Sequence, residues 1–305
     1  MEIEACSYGT IPIAEFADGK GASFAVNLKA KATARLLEDE KTVVSDNVVA
    51  EKIAQKVIGF FGYEYGVELK VGCEIPSAVG LGDSEAVSAA VVLAVAGALA
   101  KKHGAVHELR IDKYLTEQFL IIDGRIVDKK DLIDLCVDSG MQFDRTYAGF
   151  YGGFVIADNR KKQVLRRGEM EALHTVVLLP KKIEEIDISE LRLLRSELGV
   201  VWNEVLGGNL YTAMKLNSLL YDGGVVKRML GAGALTVSRS REGSVAALVR
   251  DEGRIGDVVD SVKQDGGVLT GRVVNEEARI SVKPKRVVKI REFLELKGDQ
   301  EFHWL

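Results

Sequence analysis

From residue 74 the chain reads Glu-Ile-Pro-Ser-Ala-Val-Gly-Leu-Gly-Asp-Ser-Glu-Ala, and from there to residue 100 it is almost wholly Ala, Val and Leu. A helix of that composition over residues 86–100 has no polar face to offer water, so the rest of the chain must wrap it. Residues 67–71 ahead of it alternate as a half-buried strand does. Gly80 and Gly82 allow a sharp turn between strand and helix, and Ser84 puts a hydroxyl in the first helical turn. Free N–H groups and the positive end of the helix dipole then face into the turn, which makes it a candidate phosphate cradle. A capped helix start without a ligand reads the same way at this level.

A chain of 305 residues is longer than one hydrophobic core usually serves, so two domains are expected. With 47% hydrophobic and 28% charged residues the composition is that of an ordinary globular protein. The net charge of -4 gives no reason to expect nucleic acid or an anionic membrane as partner. No signal peptide pattern opens the chain, and the longest apolar run, residues 86–100, is shorter than a membrane span, so a cytoplasmic protein is expected. Cys6, Cys73 and Cys136 are odd in number and form no Cys-x-x-Cys, as for reduced thiols used in packing.

In chain order, residues 9–24 read as a turn-rich loop entering an edge strand over 25–37, with Lys29, Lys31, Thr33 and Arg35 on its wet side. Residues 43–61 read as an amphipathic helix and 62–71 as a turn and strand. Helices are expected over 109–119 and 129–138. His103 and His107 have the i, i+4 spacing of paired metal ligands, but Gly104 interrupts them and no third ligand follows, which leaves solvated loop histidines. Gly152 and Gly153 permit close backbone approach before a buried strand at 154–157 and a turn at Asp158-Asn159.

Lys161, Lys162, Arg166 and Arg167 form a charged boundary that divides the chain into domains 1–167 and 168–305. Beyond it the pattern is strand 174–180, helices 188–205, 209–222 and 225–230, strands 234–238 and 244–249, helix 256–264 and strand 267–273. That order is an α+β layer. The segment 238–244 reads as a polar hairpin with Arg239 and Arg241, and the basic stretch 283–291 as a strand with a solvated face.

Pro-x-x-x-Gly-Leu-Gly-x-Ser-x-Ala at 76–86 resembles the phosphate-binding motif of the GHMP family of small-molecule kinases. Gly9-Thr10-Ile11 and Gly19-Lys20-Gly21 are similar to the opening of one branch, the archaeal shikimate kinases. So are Phe143-Asp144 ahead of Gly152-Gly153-Phe154-Val155 and the tail from Glu292. The resemblance implies a two-domain α+β fold, ribosomal-S5-domain-2-like in the N-terminal half and ferredoxin-like in the C-terminal half. It implies ATP phosphates on Pro76, Ser77, Ala78, Val79, Gly80, Leu81, Gly82, Asp83, Ser84, Glu85 and Ala86, with Mg²⁺ on Ser84. Lys20 is then expected near the phosphoryl group or substrate, and Asp144 on the acceptor hydroxyl. The implied reaction moves the γ-phosphoryl of ATP to the 3-hydroxyl of shikimate, in a monomer or homodimer.

This sequence departs from the family pattern on three loops. Asp83 and Glu85 stand where the motif has Ser and Ala, and Arg145 stands where a catalytic acid is usual, seven residues before Gly152. Only Gly243, shifted by one place, remains of the glycine-rich third motif. A carboxylate about 4 Å from a phosphate oxygen costs on the order of 4 kcal/mol at an effective dielectric near 20. The second expectation is therefore a degenerate paralogue that kept the fold as a binding or scaffold protein.

Overall fold

In the computed structural model, which describes residues 2–16, 18–38, 41–111, 116–181, 193–221 and 223–298, the chain opens as one long antiparallel hairpin of β1 (Glu2–Glu15) and β2 (Lys20–Leu37). The expected loop at 9–24 is therefore corrected. Its glycines and proline mark register shifts within the hairpin, at Tyr8/Gly9 and between Pro12 and Ala14. A residue type that favours a turn also favours a bulge, and here the bulges bend β1 over the cradle.

Among the described residues the hairpin is the centre of a seven-stranded sheet. β14 (Arg279–Ile280) pairs with β1, while β4 (Gly66–Cys73) and then β3 (Val43–Val44) follow β2. β8 (Phe154–Asp158) also pairs with β2, and β9 (Gln163–Gly168) with β8. The apolar helix α2 (Asp83–His103) lies across β1 and β2, with α1 (Val48–Phe60), α3 (Lys129–Val137) and α4 (Phe143–Tyr151) packed around it. Every residue from 86 to 100 is buried, as its all-round apolar pattern requires. This helix is long and apolar enough to cross a membrane, but 83% of its apolar window is buried inside the protein.

The helix expected over 109–119 is also overturned. Its two described ends belong to the hairpin of β5 (Gly104–Arg110) and β6 (Thr116–Ile122), where Leu109 faces Glu117, and residues 112–115 lie outside the described residues. With β7 (Arg125–Val127) and β15 (Val287–Lys289) they form a four-stranded sheet, in which β15 runs parallel to β5. Val288 is buried between exposed Val287 and Lys289, in keeping with a solvated strand face, and α9 (Ile290–Lys297) closes the described chain.

Neither histidine is a solvated loop residue: His103 ends α2 half-buried, and His107 lies on a strand. His107 is buried on β5 with its ring 5.3 Å from Phe119, and burial followed by Arg286 and Lys285 lowers its pKa. His103 stacks on Tyr63 at 4.4 Å and lies 3.0 Å from Tyr65 Oη. Gly104 separates them because β6 passes so close that a methyl group there would be 1.9 Å from the Ile121 carbonyl.

A third sheet has the order β11 (Thr236–Arg239), β12 (Val245–Val249), β10 (His174–Pro180), β13 (Gly266–Arg272), all antiparallel. α5 (Arg195–Gly207), α6 (Leu210–Leu219), α7 (Gly223–Gly231) and α8 (Ile255–Asp260) accompany it. Residues 188–192 and 222, the ends of two expected helices, lie outside the described residues. Val176, Leu178, Val226, Met229, Val237 and Val258 form its own small core. β11 and α6 rest on β1, and Ser238 Oγ donates to the Pro12 carbonyl at the second bulge. That junction brings the 239–244 hairpin onto the cradle. The whole is a mixed α+β structure.

Candidate active site

The cradle is a strained turn fastened from both sides. Ala78, Gly80 and Gly82 all have left-handed backbones, with φ of 59°, 80° and 68°. The Thr10 N–H donates to the Leu81 carbonyl at 2.9 Å, and the Ala86 N–H to that of Gly82 at 2.9 Å. A methyl group at Gly82 would sit 2.4 Å from Thr10 Oγ1, so only glycine allows this approach. No side chain caps the N-terminus of α2, which leaves its first-turn amides directed at the turn.

The two acids flanking Ser84 behave differently from a simple plug. Glu85 Oε1 accepts from the Gln142 N–H at 3.2 Å, so its carboxylate reaches towards the start of α4. Burial raises its pKa and the Arg145 guanidinium pulls it back. Asp83 is half-buried on the side of the turn near Cys73. The carboxylate that does lie on the cradle comes from elsewhere: a methyl group at Gly80 would be 2.5 Å from Glu242 Oε2 and 2.4 Å from Ser240 Oγ. Ser240 Oγ also donates to the Val79 carbonyl at 3.1 Å, pinning the hairpin down.

Asp144 stands in the first turn of α4 and is 1% exposed. Its Oδ2 accepts from Ser23 Oγ at 2.5 Å, and its N–H donates to Asn159 Oδ1 at 2.8 Å. Oδ1 is buried without a hydrogen-bond partner. Gly21 makes room, since a methyl group there would be 2.8 Å from Asp144 Oδ2. The Asn159 N–H in turn donates to the Gly19 carbonyl at 2.8 Å. Residues 19–24, 144 and 158–159, three separate stretches of sequence, thus meet around one carboxylate. Lys20 turns outward instead, to Asp18 at 2.7 Å and 5.4 Å above the Trp202 ring, and makes no contact with Asp144.

Arg145 is the unforeseen centre of the site. Its guanidinium is 4% exposed and lies 2.6 Å from Glu15 Oε1 and 3.2 Å from Glu242 Oε2. Burial opposes its charge, but Glu15, Glu242, Glu85 and Asp144 outweigh that and hold it protonated. Burial likewise pushes the Glu242 carboxyl up, but Arg145, a backbone hydrogen bond and Arg241 together bring it below its ordinary value. Glu15 Oε2 also accepts from the Arg241 N–H at 2.9 Å, tying β1 to the hairpin. Nothing local in the sequence marks Glu15 or Glu242; only the tertiary junction brings them here.

The arrangement offers backbone amides for an anion beside a buried carboxylate, one oxygen of which has no hydrogen-bond partner. Among the described residues no group of three or more His, Cys, Asp or Glu is poised to hold a metal.

No family model matches the chain. It is 26% identical over 286 residues to a shikimate kinase of Methanothermobacter thermautotrophicus, covering 87% of this chain and 92% of that one. It is 29% identical over 268 residues to a shikimate kinase of Methanosarcina mazei, covering 82% and 86%. Its fold is similar to the crystal structure of homoserine kinase from Cytophaga hutchinsonii, with a TM-score of 0.66 at 18% identity, covering 92% and 97%. The chain thus shares its fold with homoserine kinase and, along most of its length, is similar in sequence to archaeal shikimate kinases.

Proposed function

We propose that this protein is an ATP-dependent kinase that phosphorylates the 3-hydroxyl of shikimate, giving shikimate 3-phosphate and ADP. The observation that carries the reading is Asp144: a buried carboxylate held by the Ser23 hydroxyl, on a backbone fixed by Asn159, with one oxygen lacking a hydrogen-bond partner. It neighbours an uncapped helix start, in a chain similar over four-fifths of its length or more to shikimate kinases.

The residues divide the work as follows. Backbone amides from Gly80 to Ser84, with the rest of 76–86 shaping the turn, hold the phosphates. Ser84 contributes its hydroxyl to Mg²⁺. Asp144 Oδ1 accepts the hydrogen of the acceptor hydroxyl and orients its oxygen. Lys20, paired with Asp18 above Trp202, meets an acidic acceptor by leaving that pair. Mg²⁺-ATP, when bound, supplies the phosphoryl group and the cation that neutralises charge developing on its oxygens. Glu85, engaged at the Gln142 amide, leaves the cradle's N–H groups to the ligand.

On the same reading the two domains divide near residues 167 and 168, at the end of β9. The protein works in the cytoplasm as a monomer or homodimer on a small-molecule acceptor, with no nucleic-acid or membrane partner.

One observation favours a second reading, a non-catalytic paralogue: Glu242 lies against Gly80 and is ion-paired to Arg145, the residue that replaces the usual acid. ADP release from Mg²⁺-ATP separates the two, measured with shikimate and with homoserine and mevalonate as controls. Release with shikimate alone supports the kinase. No release with any acceptor, together with no thermal stabilisation by Mg²⁺-ATP, supports the paralogue.

A further inference from the structure

A cavity of about 760 Å³ opens at the C-terminal end of α4, one turn and more beyond Asp144 and on no element of the cradle. Its size is that of a small-molecule site. Tyr147, Tyr151 and Phe154 line it, the two tyrosines stacked at 4.6 Å. The glycine pair explains why the walls can close in. A methyl group at Gly152 would be 2.5 Å from the Glu276 carbonyl, and one at Gly153 would be 2.2 Å from that of Gly168. Gly152 and Gly153 therefore draw the chain at 168–169 and 275–276 up against the helix end and shape this cavity.

The polar lining is unbalanced. Arg279 is occupied by the Thr116 carbonyl at 3.1 Å, and Arg167 lies 5.1 Å over the Tyr151 ring. Glu277 is paired with Lys129. Glu117, Glu169 and Glu276 line the cavity and carry no ion pair among the described residues. The Tyr147 hydroxyl, on a ring 1% exposed, is buried with the Arg167 and Glu117 charges beside it. Aromatic walls and unpaired carboxylates together suit a cation on an apolar body.

We propose that this cavity is a second ligand site, separate from the cradle, for a small organic amine. The ammonium group sits among Glu117, Glu169 and Glu276, and the apolar body lies against Tyr151 and Phe154. No chemistry is required of it, so the site is a binding site and stands whether or not the chain is a kinase.

The test uses the full chain and two probes with the same apolar body, phenethylamine and 3-phenylpropionate, followed by calorimetry and by chemical-shift changes. Phenethylamine is expected to bind with one-to-one stoichiometry, more tightly than the acid by at least tenfold, and without competition from Mg²⁺-ATP. Glu169→Gln, an exposed rim position that leaves folding intact, is expected to weaken it about tenfold, as loss of one charged hydrogen-bond partner does. Three results overturn the proposal: equal or tighter binding of the acid, binding of neither probe at millimolar concentration, or amine binding that Mg²⁺-ATP displaces or Glu169→Gln leaves unchanged.

Discussion

Glu242→Gln should tighten nucleotide binding, and by more than removal of both acids in the cradle motif itself. The Glu242 carboxylate rests against Gly80, where a phosphate oxygen would have to come within about 4 Å, and an unscreened pair at that distance costs on the order of 4 kcal/mol at a dielectric near 20. Its side chain is 22% exposed, with Arg145 at 3.2 Å and Arg241 at 3.7 Å, so most of that charge is already offset. About 1 to 2 kcal/mol of repulsion remains, or roughly 5- to 30-fold in affinity. Glutamine keeps the shape and removes the charge, and Arg145 keeps its partner Glu15 at 2.6 Å. Displacement of a fluorescent nucleotide by Mg²⁺-ATP measures the change, with thermal melting to confirm the fold. Asp83→Ser combined with Glu85→Ala should gain less, because Glu85 reaches to the Gln142 amide and not into the turn. An unchanged affinity in the well-folded Glu242→Gln protein, or a larger gain in the double variant, would refute the reasoning.

Asp144→Asn should lower kcat with shikimate by about 10² to 10⁴ while leaving nucleotide affinity unchanged, since the amide keeps the Ser23 hydrogen bond but cannot accept the acceptor's proton; a kcat near that of the parent removes Asp144 from the chemistry. Gly82→Ala should cost about 2 to 4 kcal/mol in urea unfolding, combining a left-handed backbone with a methyl group 2.4 Å from Thr10 Oγ1, and a cost under 0.5 kcal/mol would contradict the strain. Glu85→Gln should stabilise the fold at pH 7. Burial raises the folded pKa of Glu85 above its unfolded value of 4.5, so the ionised form opposes folding above that range, and the gain should vanish as pH falls below 4.5. A gain that persists at pH 4 would show another cause. Arg145→Ala should destabilise by about 3 to 5 kcal/mol, because Glu15 and Glu242 lose their buried counter-charge, and a neutral effect in chemical denaturation would mean that those carboxylates are not desolvated.

The parts of the fold visible in the sequence are those whose signals are local. The apolar run of residues 86–100 dictated a core helix, and Gly80 and Gly82 dictated the turn before it. The glycines at 19–21 and the Asp158-Asn159 turn were legible as motifs, and they close on Asp144 in space. Errors arose where one residue type serves two purposes. Gly9 and Pro12 were turn signals by type, but bulges once β2 paired along their whole length. Leu109 and Phe119 fit a helical stripe equally well, and strand pairing with residues 287–289 decided otherwise. His107 looked solvated because the aromatic neighbour that buries it is across the sheet. The Arg145 cluster was beyond any local reading: its partners are 130 and 97 residues away, joined only where β1 meets the third sheet.

Calorimetric titration of the purified chain with Mg²⁺-ATP tests most directly whether the amides opening α2 still receive a triphosphate beside so many carboxylates. One binding event per chain, strengthened in Glu242→Gln, is the predicted result. No heat, and no displacement of a fluorescent nucleotide up to millimolar Mg²⁺-ATP in either protein, would contradict it.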